Sequence, residues 1–241
     1  MPISGSDVDL QALETMIGHA FNDRNLLTLA LTHCSQSHSQ LKNNERLEFL
    51  GDRVLNLVLT DFLIKKYPAA REGFLTEELC AMVNSAYLFE LAIELGLDRF
   101  LNYQKKSNSP FHAVADAIEA IIGAVYLDSG FESAAGVVKL LFQNVLDGTR
   151  KVINYKSAIT DLTKKFFNSY PTYRVTSNKA DLVTVDIRVR GMTLASASGY
   201  CRIHAEYKSA RTAFEELTNR KGLILSATAP MSVPFSELAR K

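Results

Sequence analysis

A change of hydrophobic period near residue 155 constrains this 241-residue chain more than any other feature. Before it, apolar residues recur at helical spacing: Leu10, Leu13, Met16 and Ile17, then Leu26, Leu27, Ala30 and Leu31. A polar stretch from His33 to Asn44 interrupts. A long helical pattern then runs from Glu45 to about Lys66 and stops ahead of Pro68, because proline disfavours helical geometry in the residue before it. Further helical patterns cover about 75–95, 111–128 and 132–147, and Gly130 stands where a left-handed cap would end a helix. Nothing in this half alternates like a strand. After the change, Ser157 to Asn168 can form an amphipathic helix. Tyr173–Thr176, Val183–Val189 and Thr193–Ser198 read as short strands, Gly191 marks a turn, and His204 to Leu217 returns to helix. The predicted architecture is an all-α domain over 8–148 and a small α+β domain of order α-β-β-β-α over 155–220. A tail over 221–241, with its prolines and serines, is predicted to be mobile or to serve for docking.

The formal net charge of +1 hides a partition. Residues 1–150 carry 12 basic against 19 acidic residues, a net −7, whereas residues 151–220 carry 12 against 6, a net +6. A basic second domain can lean on a polyanion; an acidic first domain needs cations to approach one. The three cysteines, Cys34, Cys80 and Cys201, are scattered and lack metal-ligand spacing. Reduced thiols are therefore expected, and with them an intracellular, cytoplasmic setting. No apolar run reaches the roughly 18 residues of a membrane span. The first residues resemble neither a secretory signal nor a transit peptide. No membrane partner is expected.

The segment from Asn44 to Asp52 carries the most chemical information. At about 100° per residue, Glu45, Glu48 and Asp52 fall within roughly a 60° sector, with Leu47, Leu50, Val54 and Val58 opposite. A second helical segment repeats the arrangement: Asp116 and Glu119 share a face with Ala120 and Gly123, while Ile118, Ile121 and Val125 point away. Small residues beside the acids let another helix, a metal or a backbone come close. Acids at i and i+3 commonly form a solvated face or one side of ion pairs. Here only Arg46 and Arg53 stand nearby, so these acids also suit a hard divalent cation such as Mg²⁺, which takes oxygen ligands. From pattern alone both readings stay open.

Asn44-Glu-Arg-Leu-Glu-Phe-Leu-Gly-Asp52 resembles the signature stretch of the ribonuclease III family. Ala30–His33, Glu72-Gly73, Met82–Asn84 and Ala115–Asp128 resemble the family in the expected order, covering roughly residues 8–148. Tyr170–Tyr173 and Ala205-Glu206 resemble the double-stranded-RNA-binding domain that normally follows. The resemblance implies the ribonuclease III helical fold and a Mg²⁺-dependent endoribonuclease, with Mn²⁺ as an alternative ion. It would process structured precursors such as ribosomal RNA, cutting duplexes to leave 5′-phosphate and 3′-hydroxyl ends. It assigns Glu48, Asp52, Asp116 and Glu119 to the metal, and Asp52, Glu119, Glu45 and Glu72 to the catalytic set. For Glu72 a solvated loop acid remains the alternative reading. The resemblance further implies a homodimer with Phe49 at an apolar subunit contact, although Phe49 could also be plain core. His33 fits a structural hydrogen-bonding role.

The departures from the family concern RNA grip. Glu77 and Glu78 follow Glu72-Gly73 where basic residues are common. The Lys-rich cluster at the start of the last helix is reduced to Arg202-Ile203-His204, the loop Ser177–Asp181 is short, and Thr160 and Asp161 replace ribose-contacting residues. Lys156, Lys164, Lys165, Lys179, Arg202, His204 and Lys208 form the predicted RNA-binding set; as ordinary solvated side chains they would be unremarkable. Two functional readings follow. One is an active double-strand-specific nuclease, with a protein partner delivering RNA where the chain's own grip falls short. The other is a scaffold of a ribonucleoprotein with little or no nuclease activity.

Overall fold

The computed structural model describes residues 5–36, 42–102, 110–179 and 182–224; side chains of 5–9 and 220–224 are not included. The chain divides into two compact units, Met1–Asn154 and Tyr155–Lys241.

The first unit is helical: α1 (Gly5–Ile17), α2 (Arg24–Ala30), α3 (Glu45–Lys66), α4 (Glu72–Val83), α5 (Ser85–Leu95), α6 (Pro110–Leu141) and the single turn α7 (Gln143–Leu146). Helix α6 is its axis. Ala113 to Val125 are buried on nearly every face of the helix, interrupted by Asp116 and Glu119. Helices α3, α5 and α2 pack around it. By length and composition alone α6 could cross a membrane; its apolar face is instead the core of this unit. Asp128, near the kink of α6, pins the turn between α1 and α2. Its carboxylate accepts the backbone N–H of Asn22 and Asp23, the Ser129 hydroxyl and a His19 ring contact at 3.1 Å. Burial works against the charge there, but these donors outweigh it and hold the carboxyl far below its usual range.

Three sequence expectations are corrected. The single pattern over 75–95 is two helices, with the break at Asn84, whose side chain caps α5 by accepting the Tyr87 N–H. Gly130 has φ 80 and ψ −174, so it kinks α6 in a positive-φ conformation open to glycine but lacks the ψ of a left-handed cap. Ser177 to Lys179, read as loop, are paired in a strand.

The second unit packs α8 (Tyr155–Phe167) and α9 (Arg202–Ile224) with a sheet of β1 (Thr172–Lys179), β2 (Leu182–Val189) and β3 (Met192–Gly199). The strands run antiparallel in the order β1-β2-β3. Ile159, Ile187, Val189, Leu194, Ala210, Ala213 and Leu217 form the core. The β2–β3 turn is two residues, Arg190 and Gly191, both at positive φ, as a tight hairpin of this length requires. The loop residues 180–181 and the predicted tail from 225 onward lie outside the described residues.

Candidate active site

Two glycines determine how the acids meet. A glycine inside a helix costs about 1 kcal/mol relative to alanine, yet Gly51 lies mid-α3 and Gly123 mid-α6. At this crossing the backbones touch. A Cβ on Gly51 would lie 1.7 Å from the Glu119 carbonyl oxygen, and one on Gly123 would lie 2.1 Å from that of Leu47. The close approach brings the acidic face of α3 onto that of α6.

Glu48, Asp116 and Glu119 each offer an oxygen within 4.8 Å of the others. Burial, with Glu48 adding repulsion, raises the Asp116 pKa to about 7. Burial, followed by the charges of Asp52, Asp116 and Glu48 and opposed by Arg53, raises that of Glu119 to about 8. Burial and the neighbouring Glu45 and Asp52 push Glu48 upward as well. Half-buried carboxylates that repel one another suit a hard divalent cation, which would neutralise them. Asp52 is adjacent but turned aside: Asn56 Nδ2 donates to its Oδ1 at 2.6 Å, and Arg53 lies 3.2 Å from its Oδ2.

The remaining predicted acids stand apart from this trio. Glu45, the first residue of α3, gives its backbone N–H to the Asn43 side chain. Glu72 opens α4, exposed, and its Oε1 accepts the Thr76 hydroxyl at 2.8 Å. Glu77, on the same helix, is exposed. A cleft of about 1010 Å³ runs beside the trio, lined by His33, Asn44, Glu45, Glu48, Asp116 and the ring of Phe49 among others. Phe49 is 69% exposed, its ring 5.6 Å from the Arg53 guanidinium. His33 is buried and its Nδ1 accepts the Ser35 N–H at 3.2 Å. Burial and the nearby His112 lower its pKa, against the pull of Glu45.

Asn43 and Asn56 were not singled out from sequence. Asparagine just before a helical pattern is a capping signal, and one four residues after an aspartate can reach it.

In the second unit the predicted basic residues separate by environment. Lys156 Nζ donates to one Glu206 carboxylate oxygen at 2.6 Å, and Arg202 Nε to the other at 2.7 Å. Burial disfavours the Glu206 charge, but these two cations lower its pKa. Lys164 donates to the Tyr170 hydroxyl at 2.8 Å and covers that ring. Lys165, Lys179 and Lys208 are exposed. His204 is corrected as a cationic contact: it is buried, stacked on Tyr200, and desolvation with the Lys208 charge lowers its pKa to about 4. It is neutral at physiological pH and lies beneath the surface.

Residues 23–145 match the family described as Ribonuclease-III-like. A Ribonuclease 3 of Bdellovibrio bacteriovorus is 33% identical over 225 residues, 87% of this chain and 96% of the relative. One from Vibrio atlanticus is 36% identical over 87% of this chain and 98% of its own length. The nuclease domain of ribonuclease III from Campylobacter jejuni superimposes with a TM-score of 0.51 at 38% identity, covering 56% of this chain and 97% of that domain. Matched along nearly its whole length by these relatives, with the helical unit aligned on a solved nuclease domain, the chain belongs to the ribonuclease III family and is an endoribonuclease of that type.

Proposed function

We propose that this endoribonuclease cuts double-stranded RNA in a divalent-metal-dependent reaction, leaving 5′-phosphate and 3′-hydroxyl ends during processing of structured precursors such as ribosomal RNA in the cytoplasm. The observation that carries the reading is the trio of half-buried, mutually repelling carboxylates on two glycine-crossed helices. Glu48, Asp116 and Glu119 would hold Mg²⁺ or Mn²⁺, with Asp52 beside them. A bound ion of this kind supplies Lewis acidity at the phosphodiester and lowers the pKa of water. The chain's own contribution is to hold four acids rigidly at one crossing, with Arg53 balancing part of their charge. The cleft beside the trio gives the scissile strand a place to lie, with Glu45 on its wall and Glu72 as a further acid for that strand. Water adds to phosphorus, the bond to the 3′-oxygen breaks, and that oxygen leaves protonated.

The enzyme works as a homodimer, with the exposed ring of Phe49 at the subunit contact, so that two sites cut both strands. The Campylobacter jejuni nuclease domain has a region involved in dimer formation, which supports this assembly. Lys164, Lys165, Lys179 and Lys208 supply the cationic surface of the second unit, assisted by Lys156 and Arg202. The pairing of those two with Glu206 favours RNA delivery by a protein partner.

Full-length protein and the variants Asp52→Asn and Glu119→Gln, incubated with long duplex RNA and Mg²⁺, test the reading. The expected result is cutting by the parent that stops on chelation, with both variants slower by at least about 100-fold, the scale of losing one group that stabilises transition-state charge. Equal cutting by parent and variants would overturn the assignment of the acids; no cutting by the parent at low salt would favour a scaffold.

A further inference from the structure

Asn44 is the residue before α3, where asparagine ordinarily caps a helix by accepting a backbone N–H. It does not do so here. Its backbone is helical (φ −80, ψ −10), it makes no side-chain cap bond, and Asn43 takes the Glu45 N–H instead. The Asn44 side chain is nonetheless held in place: the residue is 1% exposed, and its Nδ2 is buried with no hydrogen-bond partner. A buried donor left unpaired costs stability, and such a group in a native fold calls for an explanation.

The surroundings supply one. Asn44 lines the cleft together with Glu48 and Asp116. Its carbonyl accepts the Glu48 N–H at 2.9 Å, so the two side chains follow one another a single turn apart on the same helix face. Among the described residues, no hydrogen-bond donor reaches the Glu48 carboxylate. A donor without an acceptor thus stands one turn from a carboxylate without a donor. Carboxylates that ligate metals are themselves held by hydrogen bonds from outside the ligand set.

We propose that Asn44 is a positioning residue that donates its side-chain amide to the Glu48 carboxylate when that carboxylate holds a divalent cation. The inference rests on the metal reading of the trio. It gives the buried amide of Asn44 an acceptor at the Glu48 carboxylate.

Calorimetric titration of the full chain with Mn²⁺, alongside thermal unfolding without metal, tests it in the parent, Glu48→Gln, Asn44→Ala and the near-isosteric Asn44→Leu. Both Asn44 variants should bind Mn²⁺ about tenfold more weakly, with a metal-free Tm equal to or above the parent's because the buried unpaired donor is gone. Parent-like Mn²⁺ affinity in both variants overturns the proposal while leaving the metal site intact. A lower metal-free Tm in both also overturns it, since that marks an ordinary structural role. No Mn²⁺ binding by the parent removes the metal reading and this inference together.

Discussion

Asp116 and Glu119 sit on a helix whose other nearby positions are apolar and buried, and each is more stable there as the neutral acid. Their folded pKa values, about 7 and about 8, lie above the ordinary carboxylate values of 3.8 and 4.5. A raised folded pKa gives stability that is fully present below the unfolded value and declines as pH rises through the folded one. Without metal, the protein should therefore lose thermal stability between pH 5 and pH 8 and level off above. A divalent ion binds the ionised form, so its stabilising effect runs the other way and grows over the same window. The expected result is a larger Mg²⁺-induced rise in Tm at pH 8.5 than at pH 6, and a flatter metal-free profile in Asp116→Asn. A metal-free Tm that stays constant over this range in the parent would contradict the assignment. Not every residue-scale property was open to the sequence. Helical spacing sufficed to put Glu48 and Asp52 on one face and Asp116 and Glu119 on another. Which oxygens converge depends on side-chain rotamers, and Asp52 is drawn aside by Asn56 and Arg53. His204 stands among the predicted RNA contacts because the resemblance puts a basic cluster at the start of the last helix, whereas its burial depends on Tyr200 and the fold around it.

Helices α3 and α6 owe their close crossing to Gly51 and Gly123. Alanine has the better helix propensity, by about 1 kcal/mol, so Gly51→Ala would stabilise an isolated helix. In the folded unit its Cβ would meet the Glu119 carbonyl oxygen at 1.7 Å, a distance that only helix separation relieves. Overpacking of this kind costs roughly 1–3 kcal/mol or more, about 6–12 °C in Tm at the upper end. Separation would also shift Glu119 relative to Glu48, so cleavage should fall further than stability does. Parent-like Tm and activity in Gly51→Ala would mean that the helices do not cross this closely. The element boundaries show where sequence suffices. Helix α3 runs from Glu45 to Lys66, as its apolar period and the following Pro68 require. The break at Asn84 was hidden because apolar spacing continues across it, from Ala81 and Met82 into Ala86 and Tyr87, and all four are buried. Hydrophobic period reports which face is covered, not whether the backbone is continuous.

Across the whole molecule, charge is partitioned by domain: a net −7 over residues 1–150 and a net +6 over residues 151–220. Part of that positive charge is already engaged. Glu206 binds Lys156 and Arg202 through separate oxygens, leaving Lys165, Lys179 and Lys208 as exposed cations among the predicted set, with Lys164 against Tyr170. Each phosphate neutralised releases condensed counterions, so the slope of log affinity against log salt counts those contacts at about 0.9 per phosphate. Three or four contacts give a slope near −3. Glu206→Gln removes the charge holding Lys156 and Arg202 while keeping an amide that can still accept from them. Two more phosphate contacts then become available, and the slope should steepen towards about −5. Fluorescence anisotropy of a labelled duplex RNA, with the variant placed in an Asp52→Asn background to prevent cutting, gives both slopes. An unchanged slope and affinity in Glu206→Gln would show that the surface around Lys156 and Arg202 does not face RNA. Binding by this chain would then depend on the remaining lysines or on a partner that carries the duplex.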